Sequence, residues 1–304
     1  MAMSKCLLVL ILAGMGLSAC TGNKETADLY ESSVIMPVNS STEGVEGPAV
    51  DGAGNLYWVN FSHQGTIGQL KPGGQPEVFV DLPTGSTGNG IRFDSHGNML
   101  IADYTGHNIL RVNMSDRSVS VFAHSGDMAQ PNDIAIDSRD RIYASDPDWK
   151  NDRGKVWKID TDGTVTLLDS LGPANGIEVS PDEKKLYVNA SGKVYVYEIS
   201  SDGSISNRSV LTEFGDGGMD GMRCDTEGNL YITRFGKGLV AKVSPEGKTL
   251  LEIPLTGKRP TNIAFGGDDG RTAYVTLQDQ GNLESFRTEA PGREWKMNSK
   301  NNSR

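Results

Sequence analysis

One seven-residue pattern returns six times along this chain: GNLYWVN at 54–60, GNMLIAD at 97–103, DRIYASD at 140–146, KKLYVNA at 184–190, GNLYITR at 228–234 and RTAYVTL at 271–277. Its equivalent positions, Tyr57, Leu100, Tyr143, Tyr187, Tyr231 and Tyr274, are separated by 43 or 44 residues. A fixed period of this length means one supersecondary unit stacked on copies of itself. In each unit an alternating apolar stretch precedes a polar turn such as Asp51-Gly52-Ala53-Gly54, and the Tyr-type strand follows. Two more strand-like runs come next, as in 155–160 and 164–168, joined by Thr161-Asp162-Gly163. Four short strands linked by Gly and Asp turns describe a propeller blade. The expectation is an all-β chain forming a six-bladed β-propeller, four antiparallel strands per blade, over residues 30–295. No amphipathic helix of useful length is seen. The last unit lacks a fourth strand after Phe286, and 30–38 is expected to supply it, hiding both sheet edges. The Asn- and Lys-rich stretch 296–304 reads as a disordered tail.

The start of each innermost strand lies at one mouth of the central channel. Counting back four residues from the apolar position before each turn (Val50, Phe93, Ile136, Val179, Cys224, Phe265) gives Glu46, Asn89, Asn132, Asn175, Asp220 and Thr261. Every one carries a side-chain oxygen. Asn-Gly and Asp-Gly are common turn dipeptides, but here they recur in one register and converge on one axis. Two carboxylates brought together there need a cation or a proton. Carboxylate and amide oxygens suit Ca²⁺, and the absence of His and Cys from the ring argues against an imidazole or thiolate zinc centre. The second strand of each blade ends at the same mouth, so the loops after it are expected to wall the site with Phe61, Ser62, His63, Tyr104, His107, Asp148, Trp149, Asn189, Arg234 and Phe235. The loop at 146–154, the longest of these, is expected to act as a lid.

The formal charge is −10 and the sequence pI about 4.9. No basic stripe is present, so nucleic acid is not an expected partner. At the N-terminus Lys5 precedes an apolar run at 6–17, too short to span a bilayer comfortably. Leu17-Ser18-Ala19-Cys20 follows and resembles a bacterial lipoprotein box. Residues 1–19 are then a signal peptide, Cys20 the lipidated residue, and 20–29 a linker. The expected location is the cell envelope, periplasmic or surface-facing, with the lipid as the only membrane contact. Only Cys224 remains for the domain, so no intrachain disulfide is possible. A monomer is expected.

Several stretches resemble the SMP-30/gluconolactonase/LRE-like propellers, which include Drp35-type lactonases and relatives of diisopropyl fluorophosphatase. They are Glu46-Gly47-Pro48, Pro131-Asn132-Asp133, Asn175-Gly176-Ile177-Glu178-Val179-Ser180-Pro181-Asp182, Asp220-Gly221-Met222 and Thr261-Asn262-Ile263-Ala264-Phe265-Gly266-Gly267. The resemblance implies that Glu46, Asn175 and Asp220 are metal ligands and that Asn132 is a further ligand or a substrate-contacting amide. It implies a divalent cation, Ca²⁺ or in some members zinc, and hydrolysis of a lactone or related ester. Asp220 is the candidate for activating water or attacking the substrate itself. Asn89 and Gln130 join the walls as candidate substrate contacts. Some sugar-lactonase members carry an Arg two residues before the equivalent of Asn132. Here that residue is Gln130, which departs from an aldonolactone pattern. Two other readings differ in class: phosphotriester hydrolysis on the same metal, and a non-catalytic binding propeller, since 97–112 also resembles an NHL repeat. A histidine base is disfavoured because His63 and His107 lie off the ring and His96 lies in a turn at the opposite mouth.

Overall fold

The structure, a computed structural model, describes residues 29–301. Its strands form six four-stranded sheets. Five are antiparallel meanders of consecutive strands. The sixth takes its outer strand from the other end of the chain: Ser33–Val34 pairs with Asn282–Arg287, Ser33 opposite Ser285 and Val34 opposite Glu284. This is the closure expected from 30–38. The pairing strand is only two residues long, but the contact is extended by Tyr30 N–H to Arg287 O at 2.9 Å and Ile35 N–H to Leu283 O at 3.0 Å. The segment around Cys20 lies outside the described residues.

The repeat has a local cause. After the innermost strand, an Asp side chain folds the turn by accepting backbone N–H groups two and four residues on. Asp51 accepts from Ala53 and Asn55, Asp94 from His96 and Asn98, Asp137 from Arg139 and Arg141, and Asp225 from Glu227 and Asn229. These Asx turns satisfy backbone donors that would otherwise oppose the chain reversal. The residue at the Tyr position of the next strand then packs between blades. Tyr57 is buried and meets Phe79 of its own blade and Phe93 of the next edge-on, with ring centroids 5.1 and 5.6 Å apart. The apolar core is therefore distributed over the interfaces between neighbouring blades.

The channel is filled by charge. Three residues beyond the oxygen-bearing ring lie Ala49, Arg92, Ala135, Glu178, Arg223 and Ala264, all buried. Arg223 donates to both oxygens of Asp133 at 2.9 and 3.2 Å. Arg92 lies 3.7 Å from Asp133, 4.0 Å from Glu178 and 3.6 Å from Glu294. Arg293 lies 3.5 Å from Glu178 and donates to Ile136 O at 3.0 Å. Arg92, Arg223 and Arg293 thus balance Asp133, Glu178 and Glu294.

The last two members of this network come from a helix, Arg293–Asn301, where a disordered tail was expected from 296. The reason is long-range pairing: Arg293 and Glu294 are drawn into the axis, and Asn298 donates to Val50 O at 3.0 Å. The helix closes the channel at the face opposite the ring. Residues 302–304 lie outside the described residues. The stretch 146–154 also differs from expectation. It is a continued hairpin, with Asp146 opposite Lys155, Pro147 opposite Gly154 and Asp148 opposite Arg153, tipped by a single 3₁₀ turn at Trp149–Asn151.

Removing one partner of a buried pair leaves a charge without compensation. Arg223→Met should therefore destabilise the protein by about 3–5 kcal/mol, read as a lowered urea midpoint. Adding Asp133→Asn should recover much of the loss. Additive losses in the double variant would show that the two side chains are not energetically coupled.

Candidate metal centre and substrate cavity

All six ring residues line one cavity of about 540 Å³ on the open face of the propeller. A larger cavity of about 980 Å³ lies between the first and last blades. It holds neither of the ring carboxylates, so the chemistry belongs to the axial one.

The ring forms because the innermost strands break register where they meet. Pairing with the second strand is irregular around Glu46, between Gly88 and Ile91, between Ala174 and Ile177, and between Pro260 and Ile263. There the backbone bonds across blades instead: Gly90 N–H to Asn132 O at 2.8 Å and Gly221 N–H to Thr261 O at 2.7 Å. The approach is so close that a Cβ on Gly47, which has φ +54°, would stand 1.8 Å from Asn89 O. On Gly176 it would stand 2.4 Å from Asp220 O. Glycine after the ring residue is a packing requirement here.

Three buried ring oxygens have no hydrogen-bond partner in the protein: Glu46 Oε1, Asn132 Oδ1 and Asn175 Oδ1. Orphaned buried acceptors are rare, and an ion is one of the few things that explains them. The remaining oxygen of Glu46 accepts the Gly47 N–H. The Asn175 side chain neighbours the Asp220 carboxyl and favours its ionised form. Thr261 differs: its hydroxyl donates to Val45 O at 3.0 Å and meets Thr276 Oγ1 at 2.8 Å, so it is a wall strut. Asn89 is half-buried at the rim.

Burial, and then the charge of Asp133, push Glu46 up to about 7, against the pull of the Gly47 N–H and Asn262. Burial and then Glu46 push Asp220 well above the usual carboxylate range. A divalent cation between them removes both penalties. Among the described residues no three His, Cys, Asp or Glu side chains form a metal cluster. The donor set is two carboxylates with amide oxygens, which fits a hard cation such as Ca²⁺ and suits zinc less. Glu46, Asn132, Asn175 and Asp220 would hold it.

The walls match expectation in part. Tyr104, Trp149 and Phe235 line the cavity. Phe61, Ser62, His63, His107, Asp148, Asn189, Gln130 and Arg234 do not. The Gln130 backbone is held by Asp146, its N–H donating to Oδ1 at 2.5 Å. Arg234 is buried, donates to Gly218 O and to Asp216, and stacks 3.8 Å over the Phe214 ring. It fixes the loop that presents Met219. His63 and His107 are exposed and outside the lining, and His96 is 79% exposed in its turn. Gln64, Met219 and Gln278 line the cavity without having been expected. Gln278 stands four residues after Tyr274, the register of Tyr104 and Phe235, so the repeat itself carried that signal.

Residues 45–279 match the family model described as SMP-30/Gluconolactonase/LRE-like region. A protein named gluconolactonase from Zymomonas mobilis is 28% identical, over 73% of this chain and 69% of the relative. A 6-deoxy-6-sulfogluconolactonase from Pseudomonas putida is 29% identical, over 73% of this chain and 78% of its own length. Among solved structures, a calcium-binding protein, regucalcin, from Agrobacterium tumefaciens superposes with TM-score 0.73 at 20% identity, over 88% of this chain and 94% of that one.

A carboxyl group raised in the folded state binds its proton more tightly there than when unfolded. Its contribution to stability is present below the unfolded value and is lost as pH rises through the folded one. For Glu46 the window runs from 4.5 to about 7. Chelator-treated protein should therefore lose about 3 kcal/mol from this group between pH 4.5 and 8. The measurement is the difference in unfolding free energy between wild type and Glu46→Gln across that range, both metal-free. Saturating Ca²⁺ should abolish the wild-type loss. Parallel curves for the two metal-free proteins would clear Glu46 of the effect.

Proposed function

Since the chain belongs to the SMP-30/gluconolactonase/LRE-like family, we propose that it is a divalent-metal-dependent hydrolase that opens a lactone in the axial cavity. The observation that carries this reading is the trio of orphaned buried oxygens on Glu46, Asn132 and Asn175 beside a second carboxylate, Asp220. The names of the relatives, gluconolactonase and 6-deoxy-6-sulfogluconolactonase, support the lactone part of it.

When bound, the cation supplies electrophilic polarisation of the lactone carbonyl. Glu46 is the anchoring ligand, because it is buried and one of its oxygens is engaged by the Gly47 N–H. Asp220 is more accessible from the cavity. It is therefore the carboxylate placed to take the proton of an attacking water, or to attack directly. Asn175 neighbours its carboxyl and favours the ionised form, and Asn189 fixes its backbone by donating to Asp220 O at 2.6 Å. Asn132 presents its amide oxygen from the neighbouring third blade, held by its N–H to Ser145 O at 2.9 Å. The aromatic walls keep bulk water from the reacting carbonyl.

The cellular setting belongs to the same proposal: a lipid on Cys20 tethers the propeller in the cell envelope. The sequence at 17–20 supports this. Among the described residues no helix is long and apolar enough to cross a membrane.

Asp220→Asn keeps the size of the side chain and an oxygen ligand but removes the basic or nucleophilic function. At saturating Ca²⁺ its turnover of a lactone substrate should fall by at least about a hundredfold, with the fold intact by circular dichroism. His63→Ala and His107→Ala should stay within a few-fold of wild type. Near-normal turnover by Asp220→Asn would remove this residue from the chemistry. Cys20→Ser should move the protein from the membrane fraction to the soluble one. Unchanged fractionation would overturn the anchor.

A further inference from the structure

The cavity is unusual in what it lacks. The only charged side chains lining it are Glu46 and Asp220. Of the nearby cations, Arg234 and Lys237 are committed to Asp216 and Arg92 and Arg223 to the network below the ring, while Arg259 packs 5.9 Å over the Phe235 ring without lining the cavity. A divalent cation would do no more than neutralise the two ring carboxylates, leaving no net positive charge for a second anion. A sulfonate, phosphate or carboxylate on the substrate is ordinarily met by Arg or Lys through charge-assisted hydrogen bonds. An anion left unpaired in such a cavity is strongly disfavoured.

The walls are divided. Tyr104 and Trp149 come from the second and third blades, and Met219 and Phe235 from the fifth. Trp149 is 47% exposed and is the sole aromatic among the exposed large hydrophobics of the described residues. It is held in place, because its 3₁₀ turn closes a fully paired hairpin. A fixed, solvent-facing tryptophan at a cavity mouth is apolar surface awaiting a partner. The polar side facing the sixth and first blades is thin. Asn60 is engaged by Gly44 O and the Gly65 N–H, and Gln64 by Thr42. Gln278 and the carbonyl end of Gln64 are the side-chain groups left there to meet the several hydroxyls of a sugar lactone.

We infer that this site takes an uncharged lactone bearing an apolar substituent, which lies against Trp149 and Tyr104, and that it rejects lactones carrying an anionic group. This rests on the lactone reading above and narrows it.

The test compares kcat/KM at saturating Ca²⁺ for δ-decalactone, δ-gluconolactone and 6-phosphogluconolactone. The alkyl lactone should exceed gluconolactone by about tenfold, the effect of burying roughly two methylenes, and the phosphorylated lactone should be poorest by a further hundredfold or so. Trp149→Ala should raise KM for δ-decalactone about tenfold and remove most of its advantage over gluconolactone. Gln64→Arg should raise the rate on the phosphorylated lactone. Equal or faster turnover of 6-phosphogluconolactone, or indifference of δ-decalactone to Trp149→Ala, would overturn the inference. Should no lactone be hydrolysed, the proposed function fails, and calorimetry still decides the ligand class. Tighter binding of an alkyl δ-lactam than of 6-phosphogluconate sustains the inference, and the reverse order sinks it.

Discussion

Six innermost strands meeting at one axis leave a channel walled largely by backbone, and Glu46 and Asp220 at its mouth set the electrical terms for what surrounds them. Both carboxylates are pushed upward by burial. The glycines that follow them, Gly47 and Gly221, leave no room for a larger residue. One layer below, Asp133 raises Glu46 further while Arg223, bonded to Asp133, pulls it back. The lower layer is thus a balanced set of ion pairs that keeps the mouth negative without making it more so. The uncompensated carboxyl groups are confined to the mouth, and the rest of the channel is paired.

That lower layer is not an obvious source of stability. Buried ion pairs often do no better than well-packed apolar side chains of similar volume. What it does achieve is a unique arrangement. Arg293 and Glu294 find partners only when the C-terminal helix sits squarely under the axis, facing Glu178 on one side and Arg92 and Arg223 on the other. An apolar plug would tolerate sliding and rotation. A lattice of paired charges does not.

The propeller was legible because its period, its Asx turns and its inter-blade tyrosines all repeat together, and each repeats for a local reason. The ring was legible by the same counting. The walls were less so, because a strand-end count locates a residue near the mouth but not the direction of its side chain. Arg234 turns down onto Phe214 and Asp216, while its neighbour Phe235 turns into the cavity. The tail was misread because composition describes a segment by itself. Arg293 and Glu294 look like ordinary helix-surface charges until partners 70 to 200 residues earlier, Arg223 and Arg92 among them, are brought to the axis. Arg92, Glu178 and Arg223 sit three positions beyond the ring in every case, so the charged layer was within reach of the same register.

The way the ring is closed also fixes where the chain departs from it. The strand Ser33–Val34 runs antiparallel to Asn282–Arg287, and Leu29 sits beside Arg287. Gln278, one short turn before that strand, borders the cavity, so Arg287 and Leu29 belong to the far side. The C-terminal helix lies under the axis on that side as well. Both visible ends therefore leave from the floor of the molecule. A molecule entering the cavity therefore meets neither Leu29 nor the C-terminal helix.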